Sequence, residues 1–309
     1  MISVLVCTYN RSHSLATVLE SLGETYVPTG LRWEVLVIDN NSTDDTAAVV
    51  DRFVAARALP VRRILETEQG LSFARNRGIR EAAGDVVAFL DDDVAVSEHW
   101  LAHLAEAFER YAADCVGGPA RLDPSLPKPE WWRPEFDGKI GHFDRGNDVI
   151  VSRDPADGLI GIGANVAFRR EVFDRLGLFR AELGRTKKRL YMGDDLDLVN
   201  RVRRSGSIAV YDPGVVVEHR PDLSRLTKEY LRRWYTYYGE WDFVRDLDAA
   251  IGAMRILGVP RWKYRTAARN ALALMKAMLV GRPDEAFPPE LKLRAFGGYL
   301  RAARRHAVR

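Results

Sequence analysis

Three short runs of β-branched and aliphatic residues recur along the first part of the chain: SVLVCT (3–8), EVLVIDN (34–40) and DVVAFLD (85–91). Each passes into a polar turn and then into apolar residues at helical spacing. A fourth run, VRRIL (61–65), precedes GLSFARNRGIREAAG, in which Leu71, Ala74, Ile79 and Ala82 can line one helix face. Near-continuous apolar strands alternating with helices predict a mostly parallel, Rossmann-like sheet buried on both faces, so residues 1–120 read as a doubly wound α/β layer. NNSTDDTAAVV supplies a helix N-terminus, with Ser42 or Thr43 as its cap and Asp45 and Thr46 in the first turn.

The pattern changes after residue 120. RLDPSLPKPEWWRPEFDG sits in a stretch with five prolines from Pro119 to Pro134 and reads as a long irregular loop. GLIGIGANVAFRREVFDRLG (158–177) then predicts a strand followed by a helix. DDLDLVNRVRRSG predicts a helix with Leu196, Val199 and Val202 on one face and Gly206 at its C-terminal cap. IAVYDPGVVVEHR gives two short strands around an Asp-Pro-Gly turn, and residues 223–250 and 260–282 read as helical. The expected organisation is a catalytic domain over 1–222, split into halves at 120/121, and a helical extension over 223–309.

Charge sharpens this division. The whole chain of 309 residues is only +3, yet residues 251–309 hold thirteen Lys/Arg against three Asp/Glu. WKYRTAARNALALMKAMLVG places Ala268, Leu272, Met275 and Leu279 on one face, with Lys263, Arg265, Arg269 and Lys276 elsewhere. That basic amphipathic pattern suits either an anionic membrane surface or packing against the rest of the protein. The apolar stretch 271–280 is half a membrane span and contains Lys276, so no crossing is expected. Two cysteines, Cys7 and Cys115, without metal or disulfide spacing fit a reducing cytoplasm, with a peripheral seat on the inner face of the plasma membrane as an extension of that reading.

Candidate chemistry collects at the strand ends, where ligands bind in open α/β sheets. These ends are Thr8-Tyr9-Asn10-Arg11, Asp39-Asn40-Asn41 and Asp91-Asp92-Asp93. No glycine-rich phosphate loop follows any of the strands. Asp91 and Asp93 can share a divalent cation, and magnesium or manganese held by so few carboxylates takes further ligands from a substrate's phosphates. The competing reading is a solvated turn capping a helix near Ser97. GDDLD (193–197) lies at a helix N-terminus, where Asp197 has capping-box spacing and Asp195 is left over as a candidate general base. His219, ending VVVEH, suits a metal site only if the fold returns it to Asp93.

The set VCTYNR, EVLVIDNNSTDDT, GLSFARNRGI, VAFLDDDV, GANVAFRREVF, GDDLDLVNRVRRSG and VVVEHR, in this order, resembles the family 2 glycosyltransferases over roughly residues 1–240. The resemblance implies a GT-A fold with a C-terminal helical extension and an inverting, metal-dependent transfer from a nucleotide-sugar, UDP being the default base. By the same resemblance Thr8, Tyr9 and Arg11 border the nucleotide, Asp39 reads the base, and Arg75 lies beside the base or diphosphate. Asp91 contacts the ribose or sugar, Asp93 and His219 hold Mn2+ or Mg2+, and Gly163, Ala164 and Asn165 line the donor-sugar pocket; the role of Asp92 stays open. Asp195 takes the place of the base in the family's acidic motif, with Asp194 where glutamate is common. The acceptor would be a glycan, a lipid-linked glycan or a small molecule, as in cell-surface polysaccharide synthesis; no nucleic acid is expected. Trp131 and Trp132 either form an acceptor platform or pin their loop. The rival readings are a sugar nucleotidyltransferase, for which CTYNRSHS is the wrong loop, and a basic-tailed binding protein, which leaves the acidic strand ends unexplained.

Overall fold

The apolar runs fold as strands separated by helices: β1 (Ile2–Thr8), α1 (Ser12–Glu24), β2 (Trp33–Asp39), α2 (Thr46–Ala56), β3 (Val61–Leu65), α3 (Leu71–Glu81) and β4 (Val86–Asp91). There follow β5 (Val94–Val96), α4 (Trp100–Arg110), β6 (Cys115–Gly117), β7 (Ala120–Leu122), β8 (Ile150–Ser152), β9 (Asn165–Arg169), α5 (Arg170–Leu176), α6 (Asp194–Arg204), β10 (Ala209–Tyr211) and β11 (Val217–His219). The C-terminal part contributes α7 (Lys228–Asp248), α8 (Arg261–Leu279) and α9 (Pro283–Ala307). This computed structural model describes residues 1–56, 59–154, 157–181, 193–248, 254–256 and 258–307.

The main sheet has the order β3-β2-β1-β4-β9-β6-β10-β8. Its first four strands are parallel. The other half is mixed, because β9 runs antiparallel to both β4 and β6 and β8 runs antiparallel to β10. Along β1, Val4 and Val6 pack into one core with Leu15, Leu19 and Trp100, while Leu5 points into another with Ile79, Phe89 and Leu198. Both faces are therefore covered, which is why these strands read as unbroken apolar runs rather than as alternating ones.

A second, three-stranded sheet has the order β5-β11-β7. Two turns move the chain into it. The first is the aspartate corner between β4 and β5. The second is Asp212-Pro213-Gly214 between β10 and β11, where the Asp212 carboxylate accepts the Gly214 N–H at 2.8 Å. β11 then pairs antiparallel with β5, placing His219 opposite Val94. The helix N-terminus after β2 differs in detail from the sequence reading: Asp44, rather than Ser42 or Thr43, accepts the Thr46 N–H at 3.1 Å.

The described residues in Met1–Pro127, Ile140–Lys187 and Gly193–Asp222 form one compact unit, and those in Lys128–Lys139 and Leu223–Arg309 another. In the second unit α7 and α9 approach closely at two glycines: a Cβ on Gly239 would strike Ala295 O, and one on Gly298 would strike Thr236 O. The adjacent Pro288 and Pro289 lie inside α9 and hide it from a reading that takes prolines as helix breakers. Among the described residues no helix is long and apolar enough to cross a membrane.

Candidate active site

The crevice is built at the carboxyl ends of β1, β2 and β4. The turns after β1 and β2 each use an asparagine with positive φ, Asn10 at 51° and Asn41 at 66°, a conformation asparagine tolerates better than most residues. They are laced together: Asn10 N–H donates to Ser42 Oγ at 3.0 Å, Thr43 N–H to Asn10 Oδ1 at 2.7 Å, and Ser12 N–H to Asp44 Oδ2 at 2.9 Å. Asn40 fixes the next segment by accepting the Gly70 N–H and donating to Glu66 O and Glu68 O. The turns at these strand ends are thereby held together by Asn10, Asn40 and Asp44.

Within the rim, the aspartate corner is engaged residue by residue. Arg11 spans two carboxylates, reaching Asp92 Oδ1 at 3.0 Å and Asp93 Oδ2 at 2.8 Å. Thr8 donates its hydroxyl to Asp92 Oδ2 at 2.8 Å, and Tyr9 is half-buried at the same strand end. Asp93 Oδ1 lies 3.0 Å from His219 Nε2, both side chains being buried. The Arg220 N–H donates to Asp93 O at 2.8 Å and continues the β5–β11 pairing that brings His219 to this point. The capping alternative is not realised, since α4 begins at Trp100 and has no side-chain cap.

Electrostatics at the corner are unbalanced. Burial works against the Arg11 charge, but Asp92 and Asp93 outweigh it and keep the guanidinium protonated. Burial pushes the Asp92 carboxyl up, Arg11 pulls it back, and Asp93 pushes it up again, leaving it at about 6. Arg11 is shared by two buried carboxylates and Asp93 also meets His219, so the corner gathers negative charge at a place where a bound cation would be favoured.

The donors fit a small divalent cation. A carboxylate oxygen and an imidazole nitrogen 3.0 Å apart have the separation of neighbouring ligands with bonds of about 2.1 Å. Among the described residues no three His, Cys, Asp or Glu side chains form a complete cage. Magnesium or manganese sites on nucleotides are commonly finished by phosphates and water. His219 Nδ1 is buried without a partner and faces Gly141, whose φ is 101°. A Cβ on Gly141 would run into Cε1 and Nδ1 of the ring, so this glycine both permits the turn and seats the histidine.

A second chain of contacts joins Asp91 to α6. Arg75 is buried, with Nη2 3.5 Å from Asp91 Oδ1 and 3.4 Å from Gly163 O, and its guanidinium lies 5.3 Å from the Phe179 ring centroid. The Asn76 side-chain amide holds the backbone of that phenylalanine, Nδ2 donating to Phe179 O at 2.9 Å and Oδ1 accepting the Phe179 N–H at 3.0 Å. Gly163 N–H donates to Asp195 Oδ2 at 2.7 Å, and Leu196 N–H donates to Asp195 Oδ1 at 2.9 Å. A side chain on Gly163 would collide with Arg75 and crowd Asp195. Gly163 thus links the two, its carbonyl facing Arg75 and its N–H holding Asp195. The backbone of Asp194 opens α6, and its side chain lies outside the described residues.

Several expected residues occupy different settings from those anticipated. Asp197 makes no capping box: Gly193 is the cap residue and Asp197 pairs with Arg201 at 2.9 Å. Asn165 is buried and donates both amide hydrogens, to Pro119 O at 3.1 Å and Val215 O at 2.6 Å, while its Oδ1 accepts the Trp100 indole N–H at 3.0 Å. Its amide is engaged in joining α4, the residue before β7 and the turn before β11. Ala164 is also buried. Asp39 is buried with Oδ1 on the Ser42 N–H and Oδ2 3.1 Å from Arg63, a residue the strand pattern VRRIL gave no reason to single out. Trp131 and Trp132 are engaged within their own unit: Trp131 meets Phe287 edge-on at 5.6 Å, and Trp132 Nε1 donates to Asp137 at 2.8 Å. The pinning reading accounts for both rings.

The open α/β sheet, ending in an acidic corner with a carboxylate presented from a later helix, has the GT-A fold. The glycosyl transferase family 2 profile matches residues 3–177, more than half of the chain, and the protein belongs to that family. It is 29% identical over 243 residues to the succinoglycan biosynthesis protein ExoM of Rhizobium meliloti, covering 76% of this chain and 74% of that one. It is also 29% identical over 224 residues to the glucosyl-dolichyl phosphate glucuronosyltransferase of Haloferax volcanii, covering 71% and 69%. Among solved structures, a mannosyltransferase from Pyrobaculum calidifontis in complex with GDP-Man and Mn2+ superimposes with a TM-score of 0.61 at 21% identity, over 97% of this chain and 86% of that one. S. aureus TarS 1–349 in complex with UDP gives 0.55 at 16%, over 97% and 91%. Family membership removes the nucleotidyltransferase and the non-enzymatic binder from consideration.

Proposed function

We propose that the crevice binds a nucleotide-sugar, with UDP as the carrier, and transfers the sugar with inversion to a hydroxyl of a glycan or lipid-linked acceptor in surface polysaccharide or glycoconjugate synthesis. The observation that carries this reading is the convergence of Arg11, Asp93 and His219 at the β4–β5 corner, tied through Asp91, Arg75 and Gly163 to Asp195. The named activities of the relatives, succinoglycan synthesis and transfer to a dolichyl phosphate glycan, favour such acceptors over a small molecule.

In this mechanism Asp195 accepts the proton of the acceptor hydroxyl. The acceptor oxygen forms its bond to the anomeric carbon from the face opposite the departing diphosphate, whose oxygen leaves with the bonding pair, so the configuration inverts. Asp93 and His219 would hold Mn2+ or Mg2+, which when bound supplies positive charge for the leaving group. Arg75 holds Asp91 toward the ribose or sugar, and Thr8, Tyr9 and Arg11 border the nucleotide. Asp92, locked between Thr8 and Arg11, keeps that arginine in place rather than touching the sugar. The Asp39–Arg63 pair forms the base end of the crevice.

A thermal-shift screen of nucleoside diphosphates and nucleotide-sugars, with and without manganese, tests the proposal. UDP or a UDP-sugar at a hundred times its Kd should stabilise the fold by about 2.7 kcal/mol, only when metal is present. Stabilisation by no nucleotide, or equally well without metal, would overturn it.

A further inference from the structure

The second unit carries an exposed apolar surface on which none of the candidate-site residues lies. Helix α8 turns mostly small side chains inward along its second half: Ala277 is buried, and Ala267 and Ala271 are half-buried together with the larger Leu274. Most of the bulky apolar residues of this half point the other way. Leu272, Met275, Met278 and Leu279 are 63%, 52%, 67% and 87% exposed, and the following Val280 is 57% exposed. The face formed by Ala268, Leu272, Met275 and Leu279 is therefore the outer face of the helix, and the inner contact is made by Lys263, Tyr264, Leu274 and three alanines.

The helix is also fixed in place. Lys263, near its start, is buried beside Asp242 and Asp246 of α7, and its ammonium stands 4.2 Å from the Tyr299 ring centroid of α9. Tyr299 in turn donates to Asp246 Oδ2 at 3.0 Å. Such a buried pair, once formed, is costly to break, so the outward apolar face is a settled feature of this unit rather than the result of loose packing.

Charge selects what covers it. From residue 249 to 283 the chain has seven Lys/Arg and no Asp or Glu. Arg261, Arg265, Arg269 and Lys276 are exposed on α8 among the apolar side chains. A second copy of this chain docked face to face would bring cation against cation. An anionic bilayer satisfies both parts, taking the apolar side chains into the acyl boundary and the Lys/Arg heads onto its phosphates.

We infer that α8 lies in the surface of an anionic membrane, with Leu272, Met275, Met278 and Leu279 inserted and Arg265, Arg269 and Lys276 on the headgroups. This rests on the exposed face and not on the assignment of donor or acceptor. The full chain, and variants Leu272→Ser/Met275→Ser/Leu279→Ser and Arg265→Gln/Arg269→Gln/Lys276→Gln, should be sedimented with vesicles of phosphatidylglycerol and phosphatidylcholine, and with phosphatidylcholine alone. The wild-type protein should bind only the anionic vesicles, more weakly at high salt, and each triple variant should bind at least tenfold more weakly with an unchanged Tm. The nucleotide-induced thermal shift, read in the same variants, should be unaffected, which separates this inference from the proposed activity. Wild-type protein that stays in the supernatant, variants that bind as well as wild type, or a dimer in light scattering that the serine variant abolishes would each overturn it.

Discussion

Asp195 offers the most direct test of a single side chain, because its two oxygens have different neighbours. Oδ2 is aimed by the Gly163 N–H and Oδ1 accepts from Leu196 within the same helix. Asp195→Asn keeps one acceptor oxygen and replaces the other by a donor facing an N–H. The structural penalty should be about 1–2 kcal/mol, visible in urea unfolding. Turnover should fall by about a thousandfold or more while the nucleotide thermal shift stays near wild type, since the lost basicity matters only in transfer. Wild-type-like turnover would remove Asp195 from its role. Gly141 offers a complementary test from outside the expected set. Gly141→Ala demands positive φ from an alanine and drives a methyl group into the His219 ring. The variant should lose stability by about 1–3 kcal/mol and require more manganese for the same nucleotide-induced shift. Nothing in the sequence around residue 141 signals this, because the glycine acts on a histidine that the β11 return brings to it. Arg63 is hidden for a similar reason: its partner Asp39 lies on the neighbouring strand, and one strand's pattern does not contain the other's register.

At the scale of elements, the strands β1 to β4 and helices α2, α3 and α6 follow from apolar periodicity, with boundaries shifted by a few residues at most. The strands β5, β7 and β11 were less legible as a group, because each has only three residues and their pairing depends on two turns that leave the main sheet. The sequence therefore ties His219 to Asp93 only through a resemblance, and the geometric reason is the register of β11 on β5. The helical unit was legible as helical but not as packed, since a helix periodicity does not say which of its faces turns inward. Its ion pairs give an element-level prediction about pH. Glu290 of α9 accepts from Arg232 of α7 at 2.8 Å and from Arg294 at 2.9 Å. Bonding to Arg232 holds the Glu290 carboxyl below its ordinary range, against the opposing effect of burial. A depressed carboxyl contributes stability that is present above the unfolded value of about 4.3 and is lost as pH falls through the lower folded value. Glu290→Gln should be about 1 kcal/mol less stable than wild type at pH 7, with the gap closing toward pH 3 in urea titrations. A gap that stays constant with pH would show that packing rather than charge holds this contact.

For the molecule as a whole, the candidate-site groups and the helical unit draw on different parts of the chain in an interleaved order. Arg11, Arg75, Asp93, Asp195 and His219 all lie in the first unit, whereas Lys128–Lys139 is assigned to the second although it falls in sequence between β7 and β8. Phe136 from that excursion is fully buried with Leu231, Phe287 and Leu291, and Trp131 and Trp132 pack against the same cluster. A chain cut after residue 222 keeps every group of the candidate site and loses all three of those partners. Uncovering Phe136 alone forfeits about 1.5–3 kcal/mol of burial, and the two half-buried indoles enlarge the exposed patch. The shortened protein should bind a hydrophobic dye and self-associate in size-exclusion chromatography, yet still show the metal-dependent nucleotide shift. Replacing Lys128–Lys139 by a Gly/Ser linker in the same shortened chain should restore a monodisperse species with that shift intact. If instead the chain ending at 222 is monodisperse without the replacement, the aromatic excursion does not depend on the helices. If the linker version is monodisperse but has lost the shift, the excursion contributes to donor binding after all, and the tryptophans return as candidates for a role beyond packing.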